Sequence, residues 1–338
     1  MLRISILFLV VFVLTNCHQD KFVVDDEGGF LLKIPVGFPA PKIPQDNILT
    51  KERIRLGKLL FYDPVLSKDS TKSCASCHLA ANSFSDTVAF SVGIENRLGT
   101  RNSPSLANVV YQDKLLREGS VPSLEMQIAV PIQEHNEFDF NIVRIAERLN
   151  NNQMYVDLSM ETYGRKPDPF VITRSIAAFE RTLLSGNSLF DQWYFQKLPE
   201  AYRPEVARGF LLFQSDRLNC IQCHNGFLFT NQSYQNNGLY INYPDSGRMR
   251  FTQLEQDRAM FKVPSLRNVG LTAPYMHDGS LKSLDQVIDH YASGGKPHVN
   301  KNSLLKSFVL SPEERKDLLA FLNSLTDFTF ISNPEFRY

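Results

Sequence analysis

Two short stretches constrain this chain more than anything else in it: Cys74-Ala75-Ser76-Cys77-His78 and Cys220-Ile221-Gln222-Cys223-His224. In each, two thiols stand one turn apart and an imidazole follows at once. That spacing lets the thiols add to the two vinyl groups of a haem as thioethers while the histidine becomes the proximal ligand of its iron. A thioredoxin-like redox pair and a zinc site are the competing uses of CxxC. Zinc ribbons need their two pairs far closer together than these, and two CxxCH matches in one chain are no coincidence of composition. The motifs therefore predict two covalent haems c, attached at Cys74 and Cys77 and at Cys220 and Cys223, with His78 and His224 on the iron. Haem burial then replaces part of the ordinary apolar core.

The chain has five cysteines, an odd number that suits no disulfide scaffold. The fifth is Cys17. Before it, Met1 to Leu14 carry one charge, Arg3, and then an unbroken apolar run from Ile6 to Leu14, the length and flanks of a secretory signal. The run is too short to cross about 30 Å of hydrocarbon, and no other segment approaches the roughly 20 apolar residues needed. Leu14-Thr15-Asn16-Cys17 resembles a lipobox, although Asn16 departs from the usual small residue. Cys17 is therefore expected to carry lipid, with simple signal cleavage as the alternative. The expected location is the periplasm, with membrane contact only through that anchor. Lys+Arg and Asp+Glu both number 36 and charged residues make up 21%, the composition of a neutral globular protein. Nothing in it calls for nucleic acid.

At 338 residues the chain accommodates two domains of ordinary size. Residues 1–17 read as the signal with its lipobox and 18–48, polar with Gly and Pro, as a tether. Residues 49–200 and 201–330 read as N-terminal and C-terminal cytochrome c-like domains. After a Thr50 cap, residues 52–61 put Ile54, Leu56, Leu59, Leu60 and Phe61 near helical spacing until Asp63-Pro64 stops them. The first CxxCH follows. Residues 205–213 repeat this layout ahead of the second CxxCH, again with a glycine in mid-helix, so one haem-domain plan occurs twice. Further helices are expected at 141–149, 170–184 and 284–291. Ser311-Pro312-Glu313-Glu314 supplies a cap, a first-turn proline and a capping-box glutamate for a helix running to Leu325. Strand-like alternation is scarce, so the expected fold is mostly α, two cytochrome c-like haem domains with long connecting loops.

Beyond the haem motifs, three stretches carry a likeness: Gly99-Thr-Arg-Asn-Ser-Pro-Ser-Leu106, the run from Gly119 to Phe138, and Phe261-Lys-Val-Pro-Ser-Leu-Arg-Asn268 through Pro274-Tyr-Met-His-Asp-Gly-Ser280. With them the chain resembles the bacterial dihaem cytochrome c peroxidase and MauG family from about Glu52 to about Thr326. The resemblance implies that peroxide is reduced at the N-terminal haem while the C-terminal haem receives electrons from an outside donor. It places Glu137 on the family's distal catalytic Glu and Gln127 on its distal Gln. O–O heterolysis needs a proton for the departing oxygen, and a carboxyl group in a partly desolvated pocket is a suitable acid and base. From the local sequence alone, with Glu134 and Asp139 beside it, Glu137 would read as a solvated loop carboxylate.

The resemblance also implies finer points. Ile94 falls where the family often has a distal His, and isoleucine cannot ligate iron, so the N-terminal haem is expected to be permanently open. Tyr291 falls where peroxidases have an axial Met and MauG an axial Tyr; Met276, His290 and His298 are rivals. A phenolate ligand favours ferric iron and lowers the potential. Asn102, Thr272 and Pro274 match the positions that hold calcium between the haems, through one Asn side chain and two backbone carbonyls. The family's inter-haem Trp, in a Trp-Asp-Gly stretch, is replaced: the chain reads Arg117-Glu118-Gly119, and Arg117 cannot serve as a hole-hopping station.

Three functions remain open on this reading. The first is reduction of hydrogen peroxide with electrons from a small protein, a cytochrome c or a cupredoxin, and homodimers are common in the family. The second is a MauG-like oxidation of a partner protein or organic substrate. The third, a non-catalytic dihaem electron carrier, gains from two strong axial ligands on each haem, which an open haem beside Glu137 lacks.

Overall fold

The computed structural model describes residues 21–23 and 32–338. The expected signal, Cys17 and much of the expected tether lie outside the described residues. Eleven α-helices carry most of the order: α1 (Lys51–Tyr62), α2 (Leu124–Gln133), α3 (Ile142–Asn150), α4 (Gln153–Tyr163), α5 (Pro169–Glu180), α6 (Leu189–Tyr194), α7 (Pro204–Gln214), α8 (Met249–Thr252), α9 (Leu284–Ala292), α10 (Pro312–Ser324) and α11 (Phe328–Ser332). Among the described residues sheet is confined to two antiparallel pairs, β1 (Lys21–Val23) with β2 (Leu32–Ile34) and β3 (Tyr234–Gln235) with β4 (Phe261–Lys262). Among the described residues no helix is long and apolar enough to cross a membrane.

The caps explain where the helices begin. The Thr50 hydroxyl accepts from Arg53 N at 3.2 Å, and Ser311 and Glu314 form the reciprocal capping box at the start of α10. Each half of the molecule is then built on one helix crossing. In the first, Leu56, Leu60 and Phe61 of α1 pack with Ile172, Ile176 and Phe179 of α5. In the second, Val206, Phe210 and Phe213 of α7 pack with Leu318, Phe321 and Leu322 of α10. Burying each such side chain contributes about 1.5–3 kcal/mol. Both crossings depend on the mid-helix glycine. A Cβ on Gly57 would lie 1.8 Å from Ser175 O, and one on Gly209 2.0 Å from Asp317 O. The repeat read from the sequence is thus a repeat of packing geometry.

Leu32, Ile34 and Phe38, in the stretch expected as a tether, are buried with Ala178 of α5 and with Leu228. Apolar residues spaced among prolines give no helical or strand period to announce this. Just before the expected division at 200/201, α6 lies with the second core. Phe190 of α6 packs against Phe210, Phe229 and Phe321 of the second core, and Asp191 forms a fully buried ion pair with Arg267. At the other end, Phe330 of α11 returns to the first core beside Phe84, with ring centroids 5.7 Å apart.

Candidate active site

Each CxxCH forms a single tight turn. His78 N bonds Cys74 O at 3.0 Å and His224 N bonds Cys220 O at 2.9 Å, so thiols and imidazole share one side. The loop that follows fixes the ring: His78 Nδ1 lies 2.8 Å from Phe84 O and His224 Nδ1 lies 3.1 Å from Phe229 O. A carbonyl only accepts, so Nδ1 carries the proton and Nε2 keeps its lone pair for a metal. Burial lowers both imidazole pKa values, which keeps the ligand form neutral. The orienting carbonyls sit on residues of unusual backbone, Phe84 at φ 57° and Phe229 at φ 53°. The left-handed region costs a bulky side chain about 1–3 kcal/mol, and its recurrence at the same point of both halves ties the strain to histidine orientation. The donor sets fit two haems c.

Beside the first motif lies a cavity. Cys74, Cys77 and His78 line it together with Gln127, Pro131 and Glu137. Gln127 and Pro131 come from one face of α2, whose start is capped by Ser123 accepting from Met126 N at 3.3 Å. Glu137 arrives on the turn after α2, held from both sides. Its carbonyl accepts from Ile94 N at 3.0 Å, and two residues on Asp139 takes ion pairs from Lys68 and Arg97, each at 2.9 Å. Burial, aided by the Glu134 charge, pushes the Glu137 carboxyl up to about 7. Ile94 is fully buried; Gly93 lines the cavity and Ile94 does not.

Sequence reasoning missed a second carboxyl in this cavity. Glu180, at the end of α5, lines it, is buried, and has no partner for Oε2. Burial pushes its carboxyl up to about 8. The signal was present: Glu180 continues the apolar stripe of Ile172 and Ile176 at four-residue spacing, where an acidic residue is out of place.

At the second motif, Tyr291 of α9 lies near Cys220 and Cys223, and its phenol bonds Asn237; burial pushes it up to about 12. Its rivals are otherwise engaged. Met276 Sδ lies 3.2 Å from Asn237 Nδ2, His290 Nε2 bonds Asn237 O at 2.9 Å, and His298 Nδ1 accepts from Asn300 N at 3.1 Å.

The two halves meet around Asn102, whose N–H donates to His277 O at 2.9 Å. Arg101 pairs with Glu118 and with Asp245. Arg117 donates to both oxygens of Asn102. His277 stacks on Phe261 with ring centroids 4.0 Å apart, and burial lowers it to about 4.

Comparison with known proteins agrees with this geometry. The family profile described as Di-haem cytochrome c peroxidase matches residues 51–198. The chain is 36% identical over 296 residues to the methylamine utilization protein MauG of Methylorubrum extorquens, covering 86% of this chain and 82% of that one. It is 33% identical over 288 residues to the cytochrome c551 peroxidase of Nitrosomonas europaea, covering 83% and 81%. Among solved structures, a MauG-like protein associated with microbial copper homeostasis matches with a TM-score of 0.83 at 30% identity, over 90% of this chain and 97% of that one. With two oriented CxxCH turns, an acid-lined cavity at the first and likeness across most of its length, the chain belongs to the dihaem cytochrome c peroxidase family.

Proposed function

We propose that the protein reduces hydrogen peroxide to water in the N-terminal cavity, with two electrons delivered one at a time by a small cytochrome c or cupredoxin through the C-terminal half. The observation that carries this reading is the convergence of His78, Gln127 and Glu137 on one cavity that Ile94 does not enter. Cys74, Cys77 and His78 would hold the haem, which would supply the electrons for O–O cleavage. Glu137, whose carboxyl burial raises to about 7, is placed to take a proton from peroxide in the cavity and return it to the departing oxygen. Gln127, an amide that cannot replace that acid, orients peroxide by hydrogen bonding. Two solvent protons complete the balance, giving two waters. Tyr291, as phenolate, would be the second ligand of the C-terminal haem. The signal-like N-terminus supports a periplasmic site of action with Cys17 as a lipid anchor, and family habit supports a homodimer.

A MauG-like oxidation of a partner protein is the second reading, favoured by Tyr291 beside the second motif and by the likeness to MauG. Steady-state peroxide consumption with reduced cytochrome c and with a reduced cupredoxin separates the two. Rapid turnover with either donor, by oxidised protein never previously reduced, is expected. Failure with both donors, alongside oxidation of an organic substrate, would move the assignment to the second reading.

A further inference from the structure

The positions that the family likeness assigns to calcium offer one side-chain oxygen, that of Asn102, and the carbonyls of Thr272 and Pro274. Calcium takes six to eight oxygens, each with a lone pair aimed at it. In this chain the Asn102 oxygens already face a cation. Arg117 Nε donates to Asn102 O at 2.9 Å, and its Nη2 donates to Asn102 O at 2.8 Å and to Oδ1 at 2.8 Å. The amide cannot be turned to free that oxygen. Its Nδ2 donates to Val88 O at 3.2 Å, and the opposite orientation would set NH2 against guanidinium and Oδ1 against a carbonyl.

Charge leads to the same conclusion. Arg117 stands in contact with the Asn102 oxygens, and the neighbouring Arg101 is already paired with Glu118 and Asp245. A divalent ion placed at Asn102 would be repelled by the guanidinium in contact with it. The residues present do not fit calcium.

We infer that the Arg117 guanidinium is this chain's own inter-domain cation, standing on Asn102 in place of the metal, so that the two haem halves are joined without calcium. The same contact is anchored on both sides. Arg117 O accepts from Lys262 N at 2.7 Å, and Asn102 N donates to His277 O, so the guanidinium sits where the first half meets two segments of the second. Arginine where the family likeness places tryptophan thus removes an aromatic and supplies a charge. This inference does not depend on which substrate the cavity accepts.

The test is metal content of the full holoprotein with both haems attached. After dialysis against EGTA or against calcium chloride, followed by gel filtration, inductively coupled plasma mass spectrometry should find far below one calcium per chain. Tm and both haem spectra should be the same in the two buffers. One retained calcium per chain, or spectra lost in EGTA and restored by calcium, would overturn the inference. Arg117→Gln should lower Tm by several degrees, because it leaves Asn102 facing an uncharged group too short to span both oxygens, while Arg117→Lys should recover part of the loss. An Arg117→Gln holoprotein as stable as the parent would remove the bridging role. If that variant fails to mature, the calcium content of the parent decides alone.

Discussion

The two halves of the molecule share a scaffold and differ in what faces the iron. Both cross two helices at a mid-helix glycine, both turn a CxxCH on one tight bend, and both orient the histidine through the carbonyl of a left-handed phenylalanine. In the first half the cavity beside the motif receives Gln127, Glu137 and Glu180, two of them carboxyls made reluctant to ionise by burial. In the second half the neighbours include Tyr291, Asn237, Met276 and His290. On the proposed function, attachment follows from the repeated plan and reactivity from the segments after it: the turn after α2 in one half, α9 in the other. A proton source distinguishes a haem that reacts from one that conducts.

The largest effect should come from breaking that asymmetry. Glu137→Gln keeps the shape and removes the proton, so turnover with peroxide should fall by about 10²–10⁴-fold, the usual cost of losing a general acid or base. Peroxide binding, read from the N-terminal haem spectrum, should change little, and the C-terminal haem should be unaffected. Near-normal turnover in this variant would reassign the acid, with Glu180 the next residue to replace.

At the other haem, Tyr291→Phe should open the second axial position and convert a low-spin signal to high spin. Tyr291→Met should restore low spin and raise the potential, since a neutral thioether favours ferrous iron more than an anionic oxygen does. Electron paramagnetic resonance and a redox titration would check both. An unchanged low-spin signal in Tyr291→Phe would hand the position to Met276 or His298.

The glycine crossings sharpen the likeness between the halves. Gly57→Ala and Gly209→Ala each place a methyl group inside a neighbouring carbonyl, so each helix pair must part. Overpacking of this kind typically costs about 1–3 kcal/mol, and the two losses should be similar. Thermal melts of the two variants would show whether the cores respond alike. A large difference would mean that the repeat is one of sequence and not of energetics.

How much of this was legible in the sequence depended on how local each determinant is. The CxxCH turns, the Thr50 cap, the Ser311 box and the twin mid-helix glycines are specified by neighbours a few residues apart, and they stand where the sequence put them. Helix α2 was missed because Pro131 lies inside it, and a proline past the first turn, which loses the hydrogen bond to the carbonyl four residues back, reads as a stop. The packing of Ile34 and Phe38, the placement of α6 with the second core and the grip of Arg117 on Asn102 all join segments far apart in the chain. No periodicity announces such contacts. Glu180 lies between these cases: its misfit on an apolar stripe was visible, but only the cavity shows what the misfit faces.

Glu180 also yields an effect spread over pH, a slope of stability. Its carboxyl titrates at 4.5 in ordinary surroundings and is pushed up to about 8 by burial, so between those values the folded protein holds a proton that the unfolded chain releases. Stability therefore falls as pH rises through this window, by at most one proton's worth of slope, and is lowest above the folded value, where a charge with no partner for Oε2 must be buried. Glu137, raised in the same direction to about 7, adds a similar slope, so the informative quantity is the difference between variants. Glu180→Gln keeps the volume and cannot ionise. Its Tm should fall less steeply than that of the parent from pH 5 to 9, and the variant should be the more stable of the two at the alkaline end. Parallel curves would show that Glu180 is already ionised and paired when haem fills the cavity, which would leave Glu137 as the one carboxyl that distinguishes the reactive half from the conducting one.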